Sequence, residues 1–288
     1  MRIIISTIYK NHFGGQDVTL YNSEAHLSVF EVETLEERIE NIIKGKAFSK
    51  NRCKTIKAGD RLECEVFPLW NTRAEVRSAK ANKSRKSQEA LNHWNRQKAI
   101  TRYATGNFGE GDYWGTVTYD DEHLPDTPRQ ARRNIVNYLR RVARKYKKLG
   151  IPFKYIYVTG GKRYHHHFII SGGADRSMLE EMWKFGGIKN VRRIQHGAKG
   201  VAGIAMYISK AKNNVMRWGH SLNLKTPRET VADNKISRRK ALKIAECEDT
   251  AREFFEKAYP GYSFSSIKPR YSNYVSGVYL YVEMWKRE

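Results

Sequence analysis

Cysteine is scarce in this sequence: Cys53, Cys64 and Cys247 are its 3. They are odd in number, far apart and in no C-x-x-C pattern, which argues against a disulfide framework or a structural zinc site. Long apolar runs are missing too. None approaches the roughly 20 residues needed to span a bilayer. The opening MRIIISTIYK has too short an apolar run, and no small-residue cleavage site, for a secretory signal. A soluble, cytoplasmic chain is therefore expected. Acidic residues are the third shortage: 30 Asp and Glu face 53 Lys and Arg, a formal net charge of +23. An excess of that size favours a polyanionic partner, with nucleic acid ahead of an anionic membrane surface.

What remains is ordinary material for a folded protein. Hydrophobic residues make up 40% and aromatic residues 12% of 288, enough for one large domain or two smaller ones. Residues 1–72 read as short strands and turns with one helix, an accessory region of unassigned role. AHLSVFEVE alternates like a strand, TLEERIENIIKG has helical spacing, and DRLECEVFPLW is a further strand. Residues 73–102 form a basic linker that becomes a helix, with 9 Lys and Arg against Glu75 and Glu89. Arg85, Lys86, Arg96 and Lys98 are candidate phosphate contacts there. A solvated charged helix is the plainer alternative. Trp94, Tyr113 and Trp114 could stack on bases or pack a core.

Residues 103–215 carry the clearest pattern. DYWGTVTY is a strand rich in aromatic and β-branched residues. Thr127 is a good N-cap and Pro128 suits the first helical position. In the helix that follows, Ala131, Ile135, Tyr138, Leu139, Val142, Tyr146 and Leu149 form one apolar stripe, and Gly150 ends it. Its other face is basic, with Arg132 and Arg133 as candidate nucleic-acid contacts. FKYIYVT and YHHHFIISGG, joined by GGKR, read as an antiparallel hairpin. A short helix near Asp175, a strand GIKNVRRI and a helix KGVAGIAMYISKAK complete the region. Residues 216–288, with a helix at AREFFEKAY and a strand YVSGVYLYVEM, read as a C-terminal extension packing on the core. The fold class is α+β: a central antiparallel sheet with helices on one face.

The run of three histidines divides by face. Side chains alternate along a strand, so His165 and His167 share one face while His166 joins Phe168 and Ile170 on the other. His165 and His167 can converge on one divalent ion. A bare H-x-H is weak evidence, because surface histidines look the same. On the helix GVAGIAMYISKAK, Val201, Ile204 and Ile208 make the buried face, and Tyr207 with Lys210 lies towards the other side. That pair places a nucleophilic oxygen near a cation. It also fits an amphipathic helix with a half-buried tyrosine.

YWGTVTYDDEHLP, RYHHHFII and IAMYISK stand in that order. Together they resemble the HUH endonucleases, and more narrowly the rolling-circle replication initiators (Rep proteins) of small bacterial phages and plasmids. The resemblance covers roughly residues 90–283. It implies an RRM-like antiparallel core and a site-specific DNA nicking and joining enzyme. His165 and His167 would bind Mg²⁺ or Mn²⁺. Tyr207 would attack the scissile phosphate and keep the 5′ end as a phosphotyrosine, and Lys210 would support that step. The implied partners are single-stranded or hairpin origin DNA, a host helicase and a host polymerase, with no membrane. No G-x-x-x-x-G-K-[ST] motif appears, so a fused helicase is not expected. One position departs from the family pattern. Relatives carry a glutamate on the strand before the histidines, where this chain has Gly160 and Gly161. Asp120, Asp121 and Glu122 are the candidate replacements for a third ligand. A single-tyrosine transposase, a DNA-binding regulator that has lost cleavage, and an RNA-binding protein remain as alternatives.

Overall fold

The computed structural model describes residues 50–69, 85–195, 200–209, 217–233, 235–272 and 275–287. The N-terminal strand and helix read from AHLSVFEVE and TLEERIENIIKG lie outside these, as does Lys210. In chain order the elements are β1 (Lys50–Ala58), β2 (Arg61–Leu69), α1 (Arg85–Asn107), β3 (Tyr113–Thr118), α2 (Pro128–Lys148), β4 (Tyr155–Gly160), β5 (His165–Ile170), α3 (Arg176–Glu181), β6 (Lys189–Arg193) and α4 (Gly200–Ser209). Then come β7 (Arg217–His220), β8 (Arg228–Asp233), α5 (Arg238–Glu246), α6 (Glu248–Ala258), β9 (Tyr262–Ser272) and β10 (Val275–Lys286). The class is α+β. Among the described residues no helix is long and apolar enough to cross a membrane.

The strands form two five-stranded sheets, β6-β3-β5-β4-β7 and β8-β1-β2-β10-β9, with every pairing antiparallel. The first sheet carries the histidines. Its register places Thr116 and Val158 on either side of His167. One face holds Tyr113, Val117, Tyr157, Phe168 and Ile170, which pack on Ile135, Tyr138, Leu139, Val142 and Tyr146 of α2. The apolar stripe read for α2 is buried except for Leu149, which is exposed beyond the helix end. Gly115 keeps this layer thin: a Cβ there would come within 2.7 Å of the Phe168 ring.

Helices cover both faces of this sheet rather than one. On the histidine face, Ile156, Val158 and Ile169 pack against Ile100, Ala104 and Phe108 of α1 and Val201, Ala205 and Ile208 of α4. The cause lies in the strands themselves. Each of β4 and β5 is apolar on both faces in its inner part, so each face needs a cover.

The second sheet is not legible in the sequence as a unit. It joins β1 and β2 to β8, β9 and β10, so strands expected in an N-terminal accessory region and in a C-terminal extension belong to one layer. β7, expected at the start of that extension, is an edge of the histidine sheet. Cys53, Leu62, Cys64, Val66, Leu280 and Val282 face Ile244, Ala251 and Phe255 of α5 and α6. The opposite face meets α1 through charge. Lys98 reaches Glu65 at 2.8 Å, and Arg102 reaches Glu63 at 2.6 Å and Glu65 at 2.5 Å. Arg61, 3% exposed, bridges Glu63 and Glu283. Helix α1 thus lies between the sheets, apolar towards α4 and ionic towards β2.

Candidate functional site

Three side chains distant in sequence meet on the covered histidine face. His165 and His167 lie on β5 with ring centroids 5.0 Å apart. Tyr207 comes from α4, with its ring 5.7 Å from His167 and edge-on to Trp114 at 6.3 Å. The alternation along β5 fixes the first two. The third follows from α4 burying Val201, Ala202, Ala205, Ile208 and Ser209 against the sheet, which leaves Tyr207 59% exposed. Ile204, expected on the buried face, is only half-buried.

Each imidazole of the pair is held by its Nδ1. The carbonyl of Arg163 accepts a hydrogen bond from His165 Nδ1 at 3.1 Å. A carbonyl can only accept, so the proton sits on Nδ1 and the lone pair on Nε2. His167 Nδ1 meets the Thr116 hydroxyl at 2.8 Å. Both rings can therefore present Nε2, the arrangement of a metal-ligating histidine with its other nitrogen engaged. Burial, followed by the neighbouring His165, pushes His167 down to about 4, so it is neutral near pH 7. Gly161 makes room for the pair: at φ +91, any Cβ would collide with the His165 ring.

His166 has a different job. It is buried on the opposite face, hydrogen-bonded to Tyr119 Oη at 2.7 Å and to Thr159 Oγ1 at 2.8 Å, and edge-on to Trp183. Burial pushes it down to about 3. Tyr119 is pushed up to about 12 by the same cause.

Among the described residues, no group of three His, Cys, Asp or Glu side chains is placed to hold an ion. The candidates Asp120, Asp121 and Glu122 are not brought to His165 and His167. Asp120 accepts from the backbone and Nδ1 of His123, which holds its carboxyl below the usual range. Asp121 pairs with Arg163 at 2.7 Å. As a donor set the pair fits two positions of a hard divalent cation, whose remaining positions fall to water and phosphate oxygens.

The basic candidates divide as well. Lys98 is committed to Glu65 and lies over the rings of Trp94 and Tyr281, so it docks α1 instead of reaching a ligand. Trp94 itself is packed against Tyr281 and under Arg270 and Lys268. Arg132 and Arg133 stand on α2, on the face of the sheet opposite Tyr207. Arg96 is half-buried, and the side chains of Arg85 and Lys86 lie outside the described residues. Thr116, Trp114 and the Arg163 carbonyl are site groups with no signal of their own in the sequence. Their nearness depends on strand register and turn shape.

Residues 112–212, from just before β3 to just after α4, match the family model of the replication-associated protein ORF2. The match spans the histidine strand and the tyrosine helix and agrees with the resemblance to rolling-circle initiators. No curated protein and no solved structure matches the chain.

Proposed function

We propose that this replication-associated domain nicks and rejoins single-stranded DNA at a replication origin, using Tyr207 as the nucleophile. The observation that supports the reading most is the meeting of His165, His167 and an exposed Tyr207 from two elements on one face. In this reading the Tyr207 oxygen gives up its proton to water and attacks the phosphorus. The bond from phosphorus to the 3′ oxygen breaks, and that oxygen takes up a proton. The 5′ phosphate stays on the tyrosine, so one phosphodiester replaces another and the step can run backwards to rejoin the strand.

The remaining groups hold this geometry. Thr116 and the Arg163 carbonyl fix the two imidazoles. The rings of His167 and Trp114 flank the Tyr207 ring and limit its swing. Mg²⁺ or Mn²⁺, held through Nε2 of His165 and His167, would supply positive charge at a phosphoryl oxygen. Lys210 is assigned a supporting role by the resemblance alone. Single-stranded or hairpin origin DNA is the substrate. A host polymerase would extend the freed 3′ hydroxyl, and a host helicase would open the duplex.

The test is a covalent adduct. Full-length protein, Mn²⁺ and an origin strand labelled at its 3′ end should give a phosphotyrosine species resolved on a denaturing gel. Tyr207→Phe should lower its yield at least ~1,000-fold while leaving strand binding intact. Equal adduct from Tyr207→Phe would sink the assignment. The lack of a third acid beside the histidines, among the described residues, favours a second reading, a DNA-binding regulator of the same fold. Origin binding by wild type without any adduct, at any Mn²⁺ level, would establish that one.

A further inference from the structure

The second sheet carries a feature the nicking reading does not use. A cavity of about 270 Å³ opens on its edge, lined by residues that include Thr55 and Lys57 of β1, Arg228 and Thr230 of β8, Lys235, and Tyr259 at the end of α6. Its lining includes three cations and no acid.

Strand register explains the imbalance. On β8, Glu229 and Asp233 turn to one face, where Lys54 pairs with Glu229 and Lys50 and Arg52 pair with Asp233. Arg228 and Thr230 turn to the other face, opposite Lys57 and Thr55. The acids of this edge are thus neutralised away from the cavity, and its cations are gathered into it. Lys57 and Arg228 stand directly across the antiparallel pair. Like charges so placed repel, and nothing in the fold gains from the arrangement. Among the described residues none of Lys57, Arg228 and Lys235 is seen in an ion pair, and all three are exposed. One wall is rigid. The Thr55 and Tyr259 hydroxyls lie 2.6 Å apart, and the Lys235 ammonium sits 4.1 Å over the Tyr259 ring. A preset wall with exposed cations at its mouth suits a compact, doubly charged anion with hydrogen-bond acceptors.

We propose that this cavity binds the phosphate of a nucleotide. The volume falls just below the ~300 Å³ at which drug-sized sites begin, which is room for a phosphate and its sugar. The same chemistry has two sources, a backbone phosphate of a DNA strand or a free mononucleotide. The first would give the protein a second hold on DNA, on a different sheet from His165, His167 and Tyr207.

The experiment uses full-length protein carrying Tyr207→Phe, so that no cleavage intervenes and failure of the nicking reading leaves the result interpretable. The site variant is Lys57→Gln/Arg228→Gln/Lys235→Gln. A charge-matched control, Lys145→Gln/Lys147→Gln/Lys148→Gln, removes the same charge from the end of α2. Two probes are used: a fluorescent 20-nucleotide single strand followed by anisotropy across salt, and dAMP followed by phosphorus NMR line width. If the phosphate belongs to a strand, the site variant binds DNA roughly tenfold more weakly than the control. Its salt slope should also fall by about 0.7 for each phosphate it no longer neutralises. If it belongs to a free nucleotide, dAMP broadens with the control and not with the site variant. Equal behaviour of site variant and control towards both probes overturns the proposal. Circular dichroism certifies folding. Should the triple variant not fold, Lys57→Gln alone, at an exposed position, supplies the same comparison with Lys147→Gln.

Discussion

The two sheets are assembled from the chain in opposite ways. The histidine sheet draws its five strands from residues 113–220, and its central strands β4 and β5 are a simple hairpin. The second sheet closes over a long gap: Arg52 of β1 pairs with Asp233 of β8, 181 residues away. The two also differ in what they bury. The first hides an aromatic layer on one face and aliphatic residues on the other. The second hides aliphatic residues on one face and a charged network of Arg61, Glu63, Glu65, Lys98 and Arg102 on the other. A charge network has directional partners, so it specifies one seat for α1 where an oily face would accept several. Because α1 also packs along α4, the seat of α1 bears on the helix that carries Tyr207.

The strongest way to break that contrast is to remove one buried charge. Arg61→Ala leaves Glu63 buried beside one cation fewer, and should cost about 3–5 kcal/mol. Lys54→Ala removes a pair whose acid is 47% exposed, and should cost less than ~1 kcal/mol. Urea unfolding of the two variants checks the difference. Equal losses would mean that the second sheet does not depend on its buried charges.

The same contrast explains what the sequence discloses. Local signals translate directly. The cap at Thr127, the stripe on α2, the β4–β5 hairpin and the division of the three histidines by face all depend on neighbours within a few residues. The position of Tyr207 beside His167 needs the tertiary path of α4, and only the family resemblance links the two. The second sheet is invisible as a unit, since hydrophobic alternation marks a strand but does not name its partner. Lys98 misleads for a related reason. A cation on a basic stretch looks available for phosphate until Glu65, 33 residues earlier, is found against it. Asp121 looks free at the end of β3, and the turn that brings Arg163 to it has no signature.

A middle-sized effect tests the dry face of the histidine sheet. His166 ordinarily titrates near 6.5 and is pushed down to about 3 by burial. The unfolded chain therefore binds a proton between these values that the folded chain refuses. Stability from this group is complete above pH 6.5 and falls as pH drops, by about 2 kcal/mol at pH 5. His167, also depressed, acts in the same direction. Urea midpoints at pH 7.5 and pH 5 should show the loss, and His166→Gln should flatten it. A wild-type midpoint unchanged across this window would mean that His166 is not held neutral.

The smallest expected effect sharpens the separation between the two faces of that sheet. The Thr127 hydroxyl accepts from the backbone of Gln130 at 3.2 Å and starts α2, which lies on the face away from Tyr207. Thr127→Ala should cost about 1 kcal/mol of stability and Thr127→Ser almost none. Neither should alter the yield of the Tyr207 adduct at a temperature where both are folded, because the sheet stands between the cap and the phenol. A several-fold drop in adduct for Thr127→Ala with an unchanged melting point would show that the turn at Asp120–Asp126 reaches through to the histidine face. The two faces would then have to be treated as one coupled site.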